Sequence, residues 1–128
     1  GVGVRTGKKF GAAGRGGGKQ RGVWVMGRKV RNLNVFGCWW FTNIPSVMEE
    51  MTRMLIEMIG LSVTVQHSDA RVLDQVIYKW RHTRQVMSRV LVEKYADLAA
   101  TGWVVTKTEI ERDARGLRGG SFASFWRL

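Results

Sequence analysis

Apolar residues along this chain change spacing from one stretch to the next, and each spacing implies an element. Leu33–Phe36 (LNVF) is a short apolar run that reads as a buried strand. Val47, Met48, Met51, Met54, Leu55 and Met58 then recur at three- and four-residue steps, which predicts an amphipathic helix over 47–59. Ser46 and Glu49, just after Pro45, have the spacing of a capping box at its start, and Gly60 stands where a left-handed residue ends a helix. Methionines at this spacing read as core rather than as an adaptable binding face. Leu61–Gln66 (LSVTVQ) alternates and is rich in β-branched residues, so it reads as a second strand. Leu73, Val76, Ile77, Trp80, Met87, Val90, Leu91, Tyr95 and Leu98 form the apolar stripe of a helix over 72–100. Unbroken, that helix would extend ~44 Å, so a bend or break is expected. Gly102 closes it. Thr106 with Glu109 makes a second capping box, opening a helix to about Leu117. Gly119-Gly120 interrupts that helix, leaving Phe122, Phe125 and Trp126 to dock.

Two strands separated by a helix lie parallel and are joined by a right-handed crossover, which is the α/β pattern. Residues 23–31 (VWVMGRKVR) fit either a short strand or a helix end, because Gly27 weakens both. Residues 1–22 hold nine glycines and few large side chains, so they read as a flexible tail ahead of a 23–128 segment.

Charge reinforces that division. Residues 1–31 hold nine Lys or Arg and no Asp or Glu; the remainder holds twelve basic and ten acidic residues, a balance of +2 out of the total +11. The excess belongs to the N-terminal stretch, where weak, nonspecific nucleic-acid binding by residues 1–22 stands beside a solvated tail or a remnant of a larger fold, the reading that charge alone favours. Phe10 is the sole aromatic residue there, and no RGG repeat supports a stacking platform. At 128 residues the chain suits one core but falls short of the roughly 200 a (β/α)8 barrel needs. No run approaches the ~18 apolar residues of a spanning helix, and no secretory leader is visible, so a cytoplasmic protein without membrane contact is expected. A single cysteine, Cys38, excludes an internal disulfide and fits a reducing compartment. Gly1 in place of Met suggests a processed or incomplete chain.

Chemistry concentrates after the strands. In parallel α/β sheets, ligands bind beyond the carboxyl ends of the strands. The first strand runs into Cys38-Trp39-Trp40-Phe41-Thr42-Asn43, and the second into His67-Ser68-Asp69-Ala70-Arg71. Asp69 and Arg71 offer a base beside a cation, a pair suited to proton abstraction next to a carbonyl. A surface ion pair or an N-cap aspartate explains the same spacing, and Trp39-Trp40 could simply be packing. Cys38, His67, His82 and Asp69 are the plausible metal ligands, without any zinc-site spacing, and no phosphate loop is credible.

RKVRNLNVFGCWWFTN (28–43), MTRMLIEMIGL (51–61) and SDAR (68–71) together resemble the last two strand–helix units of the uronate isomerases, amidohydrolase-superfamily enzymes built on a (β/α)8 barrel. VLDQVIYKW and GWVVTKTEIERDARGLRGGSFASF resemble the closing helices of one branch of that family. The resemblance implies an α/β chain that is a partial (β/α)8-barrel fragment: two strand–helix units plus C-terminal helices, behind a flexible Gly/basic tail. It implies interconversion of an aldose uronate and its ketose, such as glucuronate to fructuronate. By position, Asp69 would lie beside the metal and move the proton, Arg71 would hold substrate oxygens, and Trp39 and Trp40 would wall the sugar pocket. The family's divalent metal, such as zinc, would need ligands beyond Asp69, because no His-x-His pair occurs here. This chain alone is therefore expected to bind no cofactor and to be inactive on a hexuronate, and it is compatible with oligomer formation. The readings left beside a partial isomerase are a small basic nucleic-acid-binding module and an α/β domain with a structural role.

Overall fold

The computed structural model describes residues 9–12, 17–30, 33–38, 44–66 and 70–126. Its elements are β1 (Phe10–Ala12), α1 (Gly17–Lys29), β2 (Leu33–Cys38), α2 (Pro45–Ile59), β3 (Thr64–Gln66), α3 (Leu73–Ala100), α4 (Lys107–Arg115), a widened turn (Gly116–Gly120) and α5 (Ser121–Trp126). The strands form one sheet in the order β1-β2-β3, and both pairings are parallel. Phe10 stands opposite Leu33, Phe36 opposite Thr64, and Cys38 opposite Gln66. Spatial order equals chain order, so each helix carries the chain to the next strand.

Period-two alternation sorts the two faces of this sheet. Val35 on β2, with Val63 and Val65 at β3, is buried against the helices. There they meet Trp24 of α1, Leu55 and Ile56 of α2, and Val86, Met87, Val90 and Leu91 of α3. Asn34, Phe36 and Thr64 occupy the other face. The Thr64 hydroxyl donates to the Asn34 side-chain amide oxygen at 3.1 Å, and the Phe122 ring lies 6.2 Å from that of Phe36. The methionine stripe of α2 is core, as its spacing predicts: Met48 is buried, and Met51, Met54 and Met58 pack around the cluster.

Charge fixes how α2 and α3 lie. Glu49 accepts from Arg89 at 3.0 Å, Arg53 grips Glu93 with a shortest contact of 2.8 Å, and Glu57 meets Lys94. Both members of each pair advance together along the sequence, so the two helices are parallel. Level 49 on α2 matches level 89 on α3. By that register, the first twelve or so residues of α3 reach roughly 18 Å past the start of α2, at 1.5 Å per residue.

Several expectations are corrected. The capping box at Ser46 and Glu49 does not form. Ile44 is the N-cap with no side-chain cap, Pro45 follows it, and the Glu49 carboxylate is drawn to Arg53 and Arg89 instead. The long helix has no break; α3 is continuous over 28 residues, with Thr83, Val86, Met87, Val90 and Leu91 buried and Arg89, Glu93 and Lys94 ion-paired to α2. Within the expected flexible tail of residues 1–22, Phe10–Ala12 is a strand and Gly17 onward is helix. The sheet therefore has three strands rather than two. Residues 23–29 resolve as the end of α1. Its approach to the sheet is close: a Cβ on Gly27 would overlap the Val35 side chain. The Thr106–Glu109 capping box forms with both reciprocal bonds, at 3.2 and 2.8 Å. Gly60 (φ +83°) and Gly119 (φ +125°) take the positive dihedrals that glycine tolerates, ending α2 and kinking the chain between α4 and α5. Among the described residues no helix is long and apolar enough to cross a membrane.

Gly37 is buried in β2 where a Cβ would overlap the Val65 carbonyl. Gly37→Ala must push β2 and β3 apart, with an expected loss of about 1–3 kcal/mol in urea unfolding. An unchanged midpoint would contradict this packing.

Candidate functional site

β2 ends at Cys38 and β3 at Gln66, and these two residues are register partners. The chain thus leaves both strands from the same edge of the sheet, the carboxyl edge at which parallel α/β proteins bind ligands. Of the residues singled out by sequence, Trp39, Trp40 and Asp69 lie outside the described residues, as does His67. Arg71 is described: it is exposed just ahead of α3, and its backbone N–H donates to the Gln75 side-chain carbonyl at 3.0 Å. Its guanidinium has no partner among the described residues and is free to take an anion. His82 is half-buried in the middle of α3. Among the described residues no group of three or more His, Cys, Asp or Glu comes together to hold a metal.

The opposite edge is closed by the C-terminal segment. The Ser121 hydroxyl donates to the Leu61 carbonyl at 3.1 Å, Leu117 is buried in the core, and Lys9 donates to the Phe125 carbonyl with its ammonium 5.4 Å from the ring centre. Phe122 and Phe125 flank Trp126, so the three aromatics foreseen as docking groups do dock. A cleft of about 420 Å³ remains there, lined by Asn34, Ser62, Ser121, Ser124 and Phe125. Its polar side chains are hydroxyls and one amide, with no titratable group for acid–base work.

A third feature gave no sequence signal of its own. The Tyr95 hydroxyl donates to the Asp113 carboxylate at 2.7 Å, and Arg112 meets the other oxygen at 2.9 Å. The pair borders a cavity of about 210 Å³ with Leu98, Trp103 and Glu109. Burial, then the bond to Asp113, raises the Tyr95 hydroxyl above its ordinary value. Desolvation pushes Asp113 up, but hydrogen bonds from Arg112 and Tyr95 outweigh it and hold the carboxyl below its usual range. The Tyr95 hydroxyl keeps its proton at neutral pH and both oxygens of the Asp113 carboxylate are engaged, so this triad joins α4 to α3. The capping box places Glu109 and Asp113 one turn apart, but nothing in the sequence couples them to Tyr95.

The fold is thus a run of three parallel strand–helix units with its ligand-competent edge formed by the ends of β2 and β3. Such a run is a segment of a singly wound α/β layer. No protein-family model and no curated protein matches the chain. Among solved structures it is similar to a uronate isomerase from Bacillus halodurans C-125, determined as a crystal structure at 2.00 Å resolution, with 47% identity and a TM-score of 0.86. The match covers 91% of this chain and 28% of that one, so this chain spans less than a third of the length of the enzyme it resembles.

Asp113→Asn should cost about 1–2 kcal/mol at neutral pH, since the tyrosine loses its charged acceptor. The folded-state carboxyl titrates below its unfolded value. Its contribution is therefore present above about pH 4 and fades as pH falls through the depressed value. The stability gap between wild type and variant should accordingly close in acid. A gap that stays constant down to about pH 2 would contradict the assignment.

Proposed function

We propose that this chain is the C-terminal strand–helix portion of a uronate isomerase, interconverting an aldose hexuronate such as D-glucuronate and its ketose, D-fructuronate, when joined to the rest of a (β/α)8 barrel. One observation carries the reading. A chain 47% identical to a segment of a uronate isomerase, with a TM-score of 0.86, has β2 and β3 ending on one edge at Cys38 and Gln66, the residues that Trp39-Trp40 and His67-Ser68-Asp69-Ala70-Arg71 follow in sequence.

The chemistry needs a base and oxyanion support together. Removal of the C2 proton of the aldose gives an enediolate with its charge on O1; the hydroxyl proton on O2 then passes to O1 as a proton is delivered to C1, leaving the C2 carbonyl of the ketose. Asp69 is proposed to handle the carbon-bound proton and Arg71 to hold a carboxylate or the developing oxyanion. Trp39 and Trp40 would wall the sugar. Asp69 would also contribute one carboxylate to a divalent metal, with further ligands supplied by the rest of the barrel. Three strands leave two open edges, and a closed barrel removes them. Hence the chain alone is expected to be inactive.

The test is a graft. Replacing the matching segment of the Bacillus halodurans enzyme by residues 9–126 of this chain should give a folded protein that isomerises glucuronate. Asp69→Asn in that graft should cut kcat by about 100-fold or more, the share a positioned acid–base group supplies. Residues 1–128 alone should show no turnover. A folded graft without activity, or one indifferent to Asp69→Asn, would refute the reading.

A further inference from the structure

A side chain in the first turn of α3 holds the backbone of Arg71. The Gln75 side-chain carbonyl accepts the Arg71 N–H at 3.0 Å. α3 starts without a local cap: Val72 is its N-cap, and a valine offers no side-chain oxygen to the orphan N–H groups of the first turn. Gln75 stands at the third helical position, from which a capping box sends a Glu or Gln side chain back to the N–H of the N-cap. Here the amide reaches one residue further and takes Arg71 instead. The Gln75 N–H donates to the Val72 carbonyl at 3.2 Å, so main chain and side chain together close the turn from Arg71 to Gln75. Lower down, α3 is anchored through the buried Thr83, Val86, Met87, Val90 and Leu91. The continuous helix carries that anchor up to its first turn, and the Gln75 bond passes it on to Arg71.

We infer that Gln75 is a positioning residue: it fixes Arg71 beside the carboxyl edge while leaving the guanidinium unpaired for the carboxylate of a hexuronate. For the identity of that anion the inference rests on the proposed function. The choice of an amide carries the argument. A glutamate at this position would make the same bond to the Arg71 N–H, and a first-turn carboxylate would gain from the helix dipole. It would also stand within reach of a side chain that is always charged, and would compete with a substrate carboxylate for it. Glutamine supplies the acceptor without the charge. Asp74, the acid that the first turn does carry, is exposed, and among the described residues it forms no ion pair with Arg71. The turn thus holds the arginine by its backbone alone.

Amide exchange in residues 1–128 and kinetics of the graft test it together. Gln75→Met keeps the side-chain length and removes the acceptor, whereas Gln75→Glu keeps the acceptor and adds a charge. In the chain alone, the Arg71 N–H should exchange about fivefold faster in Gln75→Met than in wild type, and at the wild-type rate in Gln75→Glu. The N–H groups of Val86, Met87, Val90 and Leu91 should be unaffected, which separates a lost tether from a loosened fold. In the graft, Gln75→Met should lower kcat/KM for glucuronate about tenfold, as a misplaced cation does. Gln75→Glu should raise KM about threefold with kcat held, the effect of a competing exposed ion pair. A side chain that served stability alone would leave the KM of Gln75→Glu at the wild-type value. Equal exchange of the Arg71 N–H in wild type and Gln75→Met, or an unmoved KM in Gln75→Glu, would overturn the inference. A folded graft with the expected exchange pattern and no turnover would leave the tether standing and remove the proposed isomerase activity.

Discussion

Everything else in this molecule depends on how closely β2 and β3 approach each other. Gly37 carries no side chain at the point where its backbone faces the Val65 carbonyl, and Val35, Val63 and Val65 turn one way into the helical layer. Because side chains alternate strictly along a strand, a slip of one residue would send these valines to the wrong face and Asn34 and Thr64 into the apolar core. Burial therefore specifies the register strongly, and the register in turn aligns Cys38 with Gln66. From that alignment follows the shared edge on which any chemistry of this chain must be built.

The helices secure that arrangement by different means. α2 buries an apolar stripe and adds ion pairs to α3, which are exposed and so contribute orientation more than stability. α3 packs its lower half under the sheet and carries its upper half past the start of α2. α4 is pinned by a tyrosine–aspartate bond with little solvent access. The C-terminal segment closes the amino edge of the sheet with aromatic packing and the Ser121 bond to Leu61. The molecule is consequently well consolidated at the end away from the candidate site, whereas the first part of α3 leaves Leu73, Ile77 and Tyr78 exposed.

Much of this was legible in the sequence wherever periodicity was strong. The stripe of α2, the β-branched run at β3 and the Thr106 capping box each reflect a local rule that the fold respects, whereas the stripe expected for α3 is buried at Met87, Val90 and Leu91 and leaves Leu73, Ile77 and Leu98 exposed. β1 was not legible, because Phe10–Ala12 is three residues set among glycines, and its strand character comes from pairing with β2 rather than from propensity. The start of α1 was hidden for the same reason, since its glycines read as tail. Ser46 and Glu49 misled because tertiary ion pairs claimed the glutamate that a local rule assigned to a cap. The shared edge was legible as topology, since β2 and β3 are parallel and end together at Cys38 and Gln66. Of the four residues assigned to it, only Arg71 falls among those described, and it lies free and exposed where a substrate anion could reach it.

The central claim is the parallel register that brings the ends of β2 and β3 to one edge, and interstrand nuclear Overhauser contacts in the isotope-labelled chain measure it directly. The account predicts contacts linking Phe36 with Thr64 and Cys38 with Gln66 in a parallel pattern. An antiparallel pattern, a ladder displaced by one residue, or no contact between the strands would contradict it.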